Sequence, residues 1–273
     1  FDKIETAKIS PNAFLGCESL EEFKITSSSL EIGKQCFFNA INLKEIEIIG
    51  KESLIIGESC FENCTSLSSI LLENENDPNM KIPENAFNGC QSLTKITIKC
   101  NSTMKLNKGL FQLTNKLETF SITCNEIIIG NQFFSNCFNR QSRIYIKSKN
   151  KIEFEDHCFE SSNIKQVEIE GKELIFLNEC FKNCIYLKTI QISNASQIFI
   201  DEFSFIGCTS LINISLKNIE YIKILPNAFD RCNKLQEIEL ESTSKIDINQ
   251  FCFCNLHNFE SVIIMNNGIF TFD

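Results

Sequence analysis

Cysteine and histidine are the residue types in this chain that could carry chemistry, and the cysteines recur at short spacing. The sequence contains 15 cysteines and 2 histidines among 273 residues. Two cysteines four residues apart occur in CFENC, from Cys60 to Cys64, and again in CFKNC, from Cys180 to Cys184. Thiols at this spacing could bind a metal, form a redox pair or pack as small apolar groups. The choice among these depends on the elements that position them.

A phenylalanine recurs at a nearly constant spacing along the whole chain. Its ten intervals are 23, 24, 26, 24, 23, 25, 22, 24, 24 and 24 residues. Self-similarity at this period predicts a solenoid of the leucine-rich-repeat size class. We number the eleven repeats by these phenylalanines: Phe14, Phe37, Phe61, Phe87, Phe111, Phe134, Phe159, Phe181, Phe205, Phe229 and Phe253.

Apolar residues lie six, nine and eleven positions after each phenylalanine, as in Leu67, Ile70 and Leu72. Their alternation predicts a strand, and one strand per repeat stacks into a parallel sheet. A second apolar pair, such as Leu54 and Ile56, precedes the phenylalanine and predicts a short extended segment. Repeats 6 and 7 fit this pattern after a shift of one residue in each.

Between the extended segment and the strand, the sequence predicts a short helical turn. Proline lies three or four residues before the phenylalanine in three repeats, where its fixed φ suits a first helical turn. Glycine or asparagine lies two residues after it in eight of the eleven repeats, and these residues readily adopt the left-handed conformation that ends a helix. The predicted fold is a repeat solenoid, a right-handed coil with a parallel β-sheet on its concave face. Short helical turns or extended segments form its convex side, and residues 1–273 form a single domain.

Twelve of the 15 cysteines fall in two columns of this repeat, one residue before and three residues after the phenylalanine. Alanine occupies the first column at Ala13, Ala86 and Ala228, so cysteine behaves there as a small buried apolar residue. A zinc site needs four convergent ligands, so the pattern predicts no metal site. The spacing of stacked strands permits disulfides between neighbouring repeats, but the odd number of cysteines and their predicted burial favour reduced thiols. The cysteines outside both columns are Cys100, Cys124 and Cys254.

The sequence lacks the residue constellations that are typical of an enzyme. His157 and His257 both lie in predicted turns, and no third group is available in the sequence to orient either one. No glycine-rich phosphate loop occurs, and no cofactor is predicted. A net charge of -9 disfavours nucleic-acid binding, and no apolar run reaches the roughly 20 residues that insert across a membrane. N-glycosylation sequons begin at Asn63, Asn101, Asn194 and Asn213, and they matter only in a chain that enters the secretory pathway.

Two units of the repeat carry a family resemblance. The segments IPENAFNGCQSLTKITI, from Ile82 to Ile98, and ILPNAFDRCNKLQEIEL, from Ile224 to Leu240, resemble the BspA-like, Treponema-type leucine-rich repeats with their pattern A-F-x-x-C-x-x-L-x-x-I-x-I. The resemblance covers essentially the whole chain. It implies adhesion and protein binding, which are linked with this family in bacterial surface proteins and in microbial eukaryotes such as Trichomonas and Entamoeba. The isoleucine, asparagine and lysine bias is similar to that of the eukaryotic members. The chain lacks the proline that often follows the strand in bacterial members, which weakens transfer of a bacterial adhesin role more than transfer of the fold.

The resulting functional hypothesis is a noncatalytic protein-protein interaction solenoid, a surface adhesin or receptor that binds a partner on its concave face. The alternative is an intracellular scaffold or structural component of a larger assembly. Family resemblance favours the cell surface, whereas many reduced cysteines favour the cytoplasm. Ile4 and Thr6, with Phe1, fit the columns of a preceding repeat, and Phe270 and Phe272 fit those of a following one. We therefore expect neighbouring repeats or another chain to cover both ends of the solenoid.

Strand residues that alternate with the inward positions must point outward, and in repeats 4 to 6 they are basic or hydroxyl-bearing. The strands on either side are acidic, with Glu45 and Glu47 before them and Glu168 and Glu170 after them. This arrangement predicts a basic surface that steers an acidic partner, with a tyrosine as its aromatic anchor, although an ordinary solvated face would also account for it. The candidate residues are Lys95, Thr97, Lys99, Thr119, Ser121, Thr123, Arg143, Tyr145 and Lys147.

Overall fold

The computed structural model describes residues 4–74, 76–77, 80–107, 110–111, 114, 116–134 and 138–272, with the backbone alone at 138–141. The chain divides into two compact units. Unit 1 is Phe1–Ile127 with Cys137–Asn139, and unit 2 is Ile128–Asn136 with Arg140–Asp273. A single domain over residues 1–273 stays a prediction.

Parallel strands joined by turns build both units. The strands of unit 1 are β1 (Ile4–Ile9), β2 (Glu22–Ile32), β3 (Glu45–Ile56), β4 (Ser69–Asn74), β5 (Lys95–Cys100), β6 (Thr103–Leu106) and β7 (Leu117–Cys124). Residues of both units contribute to β8 (Glu126–Ile129) and β9 (Phe138–Ser148). The strands of unit 2 are β10 (Lys151–Phe154), β11 (Gln166–Glu170), β12 (Glu173–Phe176), β13 (Thr189–Ser193), β14 (Gln197–Ile200), β15 (Asn213–Ile224), β16 (Glu237–Ile248), β17 (Ser261–Asn266) and β18 (Ile269–Phe272).

The repeats pass through two strand segments, except that the second segment of repeat 3 is reduced to a single bridge between Ile55 and Lys81. The first segment carries the alternating apolar residues that follow the phenylalanine, and the second precedes the next phenylalanine. In unit 1, β2 pairs with β3 so that Ile25 lies beside Ile48. In unit 2, β9 pairs with β11 so that Ile144 lies beside Val167, which confirms the one-residue shifts expected in repeats 6 and 7. The predicted parallel β-solenoid of about eleven turns is confirmed.

The repeated phenylalanines form a stack of parallel rings inside each unit. In unit 1, the ring centroids of Phe37 and Phe61 lie 5.1 Å apart, with an angle of 11° between the rings. In unit 2, the centroids of Phe159 and Phe181 lie 4.6 Å apart at 8°. Nine of these side chains are buried, whereas Phe14 and Phe253 are partly exposed. The stack fills the space between the turns and the first strand segments.

The described turns around the phenylalanines are not helical, so the predicted helical turn is wrong. They are tight turns closed by bonds between an amide and the carbonyl three residues earlier, and the extended segments of the alternative are the second strand segments that precede them. The amide of Phe14 donates to the carbonyl of Cys36 in the next repeat at 2.8 Å, and the amide of Cys17 donates back to the Phe14 carbonyl at 3.1 Å. An α-helix would instead bond each amide to the carbonyl four residues earlier. Because the neighbouring repeat presents its carbonyls at the right spacing, the turn uses them. No helix occurs among the residues that the structure describes.

Two residues in each described turn adopt left-handed backbone conformation. The position two after the phenylalanine does so as predicted, with φ of 64° at Gly16 and 61° at Asn63. The position two before it does so as well, with φ of 53° at both Gln35 and Glu179. The sequence did not predict this second position, because glutamine and glutamate are not residue types that favour positive φ.

A column of small or polar residues lies thirteen positions after the phenylalanine, at the corner between the two strand segments. Asn74 is buried there, and its side-chain amide donates to the carbonyl of Gly50 at 2.6 Å. Ser27 occupies the same column and donates to the carbonyl of Ile4 at 3.1 Å. The corner therefore satisfies its backbone carbonyls with short side chains.

The same corner column contains a disulfide. Cys100 and Cys124 are bonded to each other across neighbouring repeats, with their Cα atoms 4.7 Å apart. The structure describes twelve further cysteines as free thiols, ten of them buried, whereas Cys137 lies outside the described residues. The thiol of Cys208 donates to the carbonyl of Phe181 at 3.1 Å, and other cysteines three residues after a phenylalanine do the same. Cysteine in this column is thus a weak hydrogen-bond donor as well as a small apolar residue.

Candidate interaction surface

The six candidate residues of unit 1 lie side by side on β5 and β7. The two strands pair so that Lys95 lies opposite Thr119 and Lys99 lies opposite Thr123. The alternation of burial points all six side chains outward, because the intervening residues belong to the core. We call Lys95, Thr97, Lys99, Thr119, Ser121 and Thr123 the β5–β7 patch.

One of the two lysines in the β5–β7 patch is already paired. Lys99 Nζ lies 2.9 Å from Glu73 Oε2, which belongs to the preceding strand β4. Both side chains are partly exposed, so this ion pair adds little to stability. Within the described part of the chain, Lys95 forms no ion pair. The net positive charge that this patch offers is therefore concentrated at Lys95.

The three candidate residues of unit 2 lie on β9, and we call Arg143, Tyr145 and Lys147 the β9 patch. Lys147 Nζ lies 2.9 Å from Glu170 Oε1, and the hydroxyl of Tyr145 donates to Glu170 Oε2 at 3.2 Å. The hydrogen bond from Lys147 holds the pKa of Glu170 below its usual value. Burial, followed by the bond to Glu170, raises the pKa of Tyr145. Arg143 is exposed and forms no ion pair with any residue that the structure describes.

These pairs change the electrostatic picture that the sequence suggested. The sequence separated basic strands from acidic flanks, but glutamates of the flanking strands reach across and pair with Lys99 and Lys147. Neighbouring parallel strands place opposite charges side by side, so the two signs alternate rather than segregate. The basic surface is weaker than the sequence indicates.

A shallow cavity of about 150 Å³ adjoins the aromatic residue of the β9 patch. Its walls include Tyr145, Glu168 and Glu170, and Gln191 and Ser193 lie along its far side. The depression combines an aromatic ring with carboxylate and amide groups, so polar side chains of a partner could enter it.

A larger cavity, of about 870 Å³, lies in unit 1 on the face of the second strand segments. Leu54 and Ile55 of β3, Lys81, and Thr103 and Lys105 are among the residues that line it. The sequence did not identify this cavity. The sequence feature that could have indicated this cavity is the interval of 26 residues between Phe61 and Phe87, which is the longest between successive repeats. An enlarged repeat disturbs the stacking of the second strand segments and leaves space there.

Two carboxylates that the sequence did not suggest as partners lie near His157. Its Nδ1 lies 3.2 Å from Glu160 Oε2 and 3.1 Å from Glu179 Oε2. The three groups have the chemistry of metal ligands, and their ligand atoms lie within 4.8 Å of one another. Lys182 Nζ, however, lies 2.7 Å from Glu179 Oε2 and supplies the positive charge that balances this carboxylate. Lys182, Glu160 and Glu179 form an ion-pair network that links two neighbouring turns of unit 2, and His157 lies beside it.

Among the described residues, no helix is long and apolar enough to cross a membrane.

Comparison with known proteins places the chain in a family. Its sequence matches the BspA type leucine rich repeat region (6 copies) over residues 3–80, 55–188 and 152–271. No curated protein gave a significant match. A leucine rich cell surface protein from Faecalibacterium prausnitzii is 18% identical, with 94% of this chain and 83% of that one covered and a TM-score of 0.31.

A leucine-rich repeat protein from Bacteroides ovatus is 20% identical, with 98% of this chain and 92% of that one covered and a TM-score of 0.33. Superpositions with such low TM-scores add no argument about fold or function. The family match alone spans nearly the whole chain, and its repeat agrees with the stacked phenylalanines and paired strands described above. The chain belongs to the BspA-type leucine-rich repeat family.

Proposed function

We propose that this chain is a noncatalytic protein-interaction solenoid whose partner binds the outward face of the first strand segments. The observation that carries the proposal is the division of roles within each strand. In unit 1, Ile96 and Ile98 are fully buried, whereas the intervening side chain of Thr97 remains accessible. Because the core depends on the inward residues, the outward residues can vary to suit a partner without loss of the fold.

The chemistry of the outward residues favours a polar, acidic partner surface. In the β5–β7 patch, Lys95 carries an uncompensated charge and is surrounded by hydroxyl groups. In the β9 patch, Arg143 likewise carries an uncompensated positive charge, beside the ring of Tyr145. A carboxylate of the partner would compete with Glu73 for Lys99 and with Glu170 for Lys147. Binding at either patch would therefore depend on salt concentration.

Two observations support different locations for this interaction. The disulfide between Cys100 and Cys124 favours an oxidising compartment, and thus a surface adhesin or receptor. The twelve free cysteines favour a reducing compartment, and thus an intracellular scaffold. We propose the surface role first, because stable disulfides are rare in the cytosol whereas buried free thiols can persist in either place.

Exposed apolar residues support the proposal that further repeats or another chain pack on the outer strands. In β18, Ile269 is 63% exposed and Phe272 is 61% exposed. In β1, Ile4 is 48% exposed. Phe272 pairs with Ile248 and Ile4 pairs with Ser27, and both of these partners are buried within the chain, whereas Ile269 pairs with Lys245 on the outward side of the strand.

Site-specific photo-crosslinking tests the proposed face. A photoreactive amino acid replaces Thr97 in one variant, and Thr103, which points outward from the second strand segment, in a matched control. Each variant is incubated with intact cells and with cell extracts, and crosslinked proteins are identified by mass spectrometry. We expect the same partner to be captured repeatedly from position 97 and not from position 103. Equal capture from both positions, or capture from 103 alone, would contradict the proposal.

Charge reversal tests the chemistry of the face once a crosslinked partner is known. Lys95→Glu with Lys99→Glu alters the β5–β7 patch, and Arg143→Glu with Lys147→Glu alters the β9 patch. Lys51→Glu with Lys172→Glu changes the net charge equally at positions outside both patches. We expect at least one patch variant to weaken binding more than the control does, with the largest effect at low salt. Equal affinity in all three folded variants would exclude both patches.

A further inference from the structure

Cys36 and Cys60 occupy the column before the phenylalanine in two successive repeats of unit 1. The amide of Phe37 donates to the carbonyl of Cys60 at 2.8 Å, which holds the turn of repeat 2 directly against the turn of repeat 3. Both cysteines are fully buried, and their thiols lie close enough to influence each other. We propose that this pair is a reversible modification site that closes to a disulfide by exchange with a low-molecular-weight disulfide such as glutathione disulfide.

The stacking geometry suits a bond between the two sulfur atoms. Backbones hydrogen-bonded in parallel lie about 4.8 Å apart, within the range of about 4.4 to 6.8 Å between Cα atoms in disulfides. Cys100 and Cys124 are also separated by 24 residues, stand in one column of neighbouring repeats and form a disulfide with Cα atoms 4.7 Å apart. Cys36 and Cys60 share this separation of 24 residues and likewise stand in one column of neighbouring repeats.

Cys36 is the thiol of the pair that is suited to attack. The hydrogen bond from the Cys60 thiol lowers the pKa of Cys36, whereas burial raises the pKa of Cys60. The attacking species in thiol-disulfide exchange is the thiolate. Among the described thiols with a shifted pKa, Cys36 is the one whose pKa moves downward.

The exchange proceeds in two balanced steps. The Cys36 thiolate attacks one sulfur of glutathione disulfide, forms a mixed disulfide and releases one glutathione thiolate. Cys60 then loses its proton and attacks the Cys36 sulfur, so that the Cys36–Cys60 bond forms and the second glutathione leaves. Two electrons pass from the protein dithiol to the glutathione disulfide, and the two thiol protons end on two glutathione molecules. Because both thiols are buried, the first step requires local opening of the turn.

Unit 2 contains a matched pair in which Cys158, the residue equivalent to Cys36, has its pKa shifted in the opposite direction. Cys158 and Cys180 occupy the same column in successive repeats, and the amide of Phe159 donates to the Cys180 carbonyl at 2.8 Å. The thiol of Cys158 donates to the Cys180 carbonyl at 3.8 Å, and burial raises the pKa of Cys158 well above its usual value. The two pairs thus share the same position in the repeat and the same hydrogen bond between turns, but the pKa of Cys36 is lowered and that of Cys158 is raised.

Controlled oxidation of the full chain tests the proposal. The protein is incubated with glutathione disulfide at neutral pH, quenched with acid and N-ethylmaleimide at intervals, digested, and analysed for linked peptides by mass spectrometry. We expect the Cys36–Cys60 linkage to form several-fold faster than any Cys158–Cys180 linkage and to reverse with dithiothreitol. Absence of the Cys36–Cys60 linkage, or equal rates for the two pairs, would overturn the proposal.

Single substitutions identify the attacking thiol. Cys60→Ser, whose hydroxyl can still donate to the Cys36 thiolate, should trap a glutathione adduct on Cys36, whereas Cys36→Ala should leave Cys60 unmodified. This column already holds serine at Ser204 and alanine at Ala13, Ala86 and Ala228, so both variants should fold, which circular dichroism verifies. An adduct on Cys60 in the Cys36→Ala variant, with none on Cys36 in the other, would show that the assignment of the thiolate is wrong. This inference is independent of the proposed partner surface.

Discussion

The ring of Phe61 lies nearly parallel to the ring of Phe87, with their centroids 5.3 Å apart and an angle of 2° between them. Both side chains are fully buried. Stacked aromatic rings add to the free energy that their buried area alone supplies. The repeat is therefore held to its neighbour by the side chain that defines its period, as well as by strand hydrogen bonds.

Replacing Phe61 by alanine should lower the free energy of unfolding by about 3 to 5 kcal/mol, because the change leaves a cavity between two rings. The same cost is expected for Phe181→Ala, which removes a ring stacked between Phe159 and Phe205. Ile55→Ala serves as the control, because Ile55 is 54% exposed. Chemical denaturation measures all three. A loss below about 1 kcal/mol for the phenylalanine variants would mean that the stack does not support the core.

Replacing the bonded cysteines by serine, in the variant Cys100→Ser with Cys124→Ser, should destabilise the protein by about 2 to 4 kcal/mol, since the bond closes a loop of moderate length in the unfolded chain. Denaturation with guanidinium, with and without reductant, measures the effect. Reductant should destabilise the wild-type protein and leave the variant unchanged. The same response to reductant in both proteins would contradict the prediction.

Two effects favour glycine at Gly89, its backbone conformation and its close contact with Asn63, and substitutions can distinguish them. Gly89 has φ of 76°, and an added Cβ would clash with the side-chain oxygen of Asn63. Gly16 has φ of 64°, but an added Cβ there would meet open space. We expect Gly16→Ala to cost about 1 to 2 kcal/mol from backbone conformation, and Gly89→Ala to cost more. Thermal unfolding provides the comparison, and equal losses would exclude a contribution from the contact with Asn63.

The rate at which each cysteine thiol is labelled should depend on its burial and on the charges near it. Of the described free cysteines, Cys17 and Cys254 are partly exposed, and we expect iodoacetamide to modify them first in the native protein. Burial and the carboxylate of Asp230 raise the pKa of Cys254 above its ordinary value of 9.0. Since a raised pKa keeps the thiol protonated to higher pH, its labelling rate should increase only at more alkaline pH.

The substitution Asp230→Asn tests the origin of that shift. It removes the negative charge and should move the labelling profile of Cys254 to lower pH, while the profile of Cys17 stays the same. Mass spectrometry of peptides labelled at several pH values provides both profiles. An unchanged profile at Cys254 would show that Asp230 does not influence its titration.

Much of the fold follows from the sequence because the repeat is periodic. Phe61, Leu67, Ile70 and Leu72 recur in columns, and residues in one column must stack when the repeats stack. This determined the period, the inward positions, the parallel pairing and the outward direction of Lys95 and its neighbours. The positive φ two residues after the phenylalanine was also readable, because glycine and asparagine tolerate it.

The tertiary structure decided what depends on contacts between repeats. The residues around Phe14 form tight turns rather than a helix because the Phe14 amide bonds to the carbonyl of Cys36 in the next repeat. Lys147 is paired rather than free because Glu170 of the neighbouring strand reaches it. Such partners are more than twenty residues apart in sequence, and their meeting depends on the exact register and on side-chain direction. The residue types that recur at each repeat position show which residues are buried. Only the stacking of one repeat on the next brings together the particular groups that form hydrogen bonds and ion pairs.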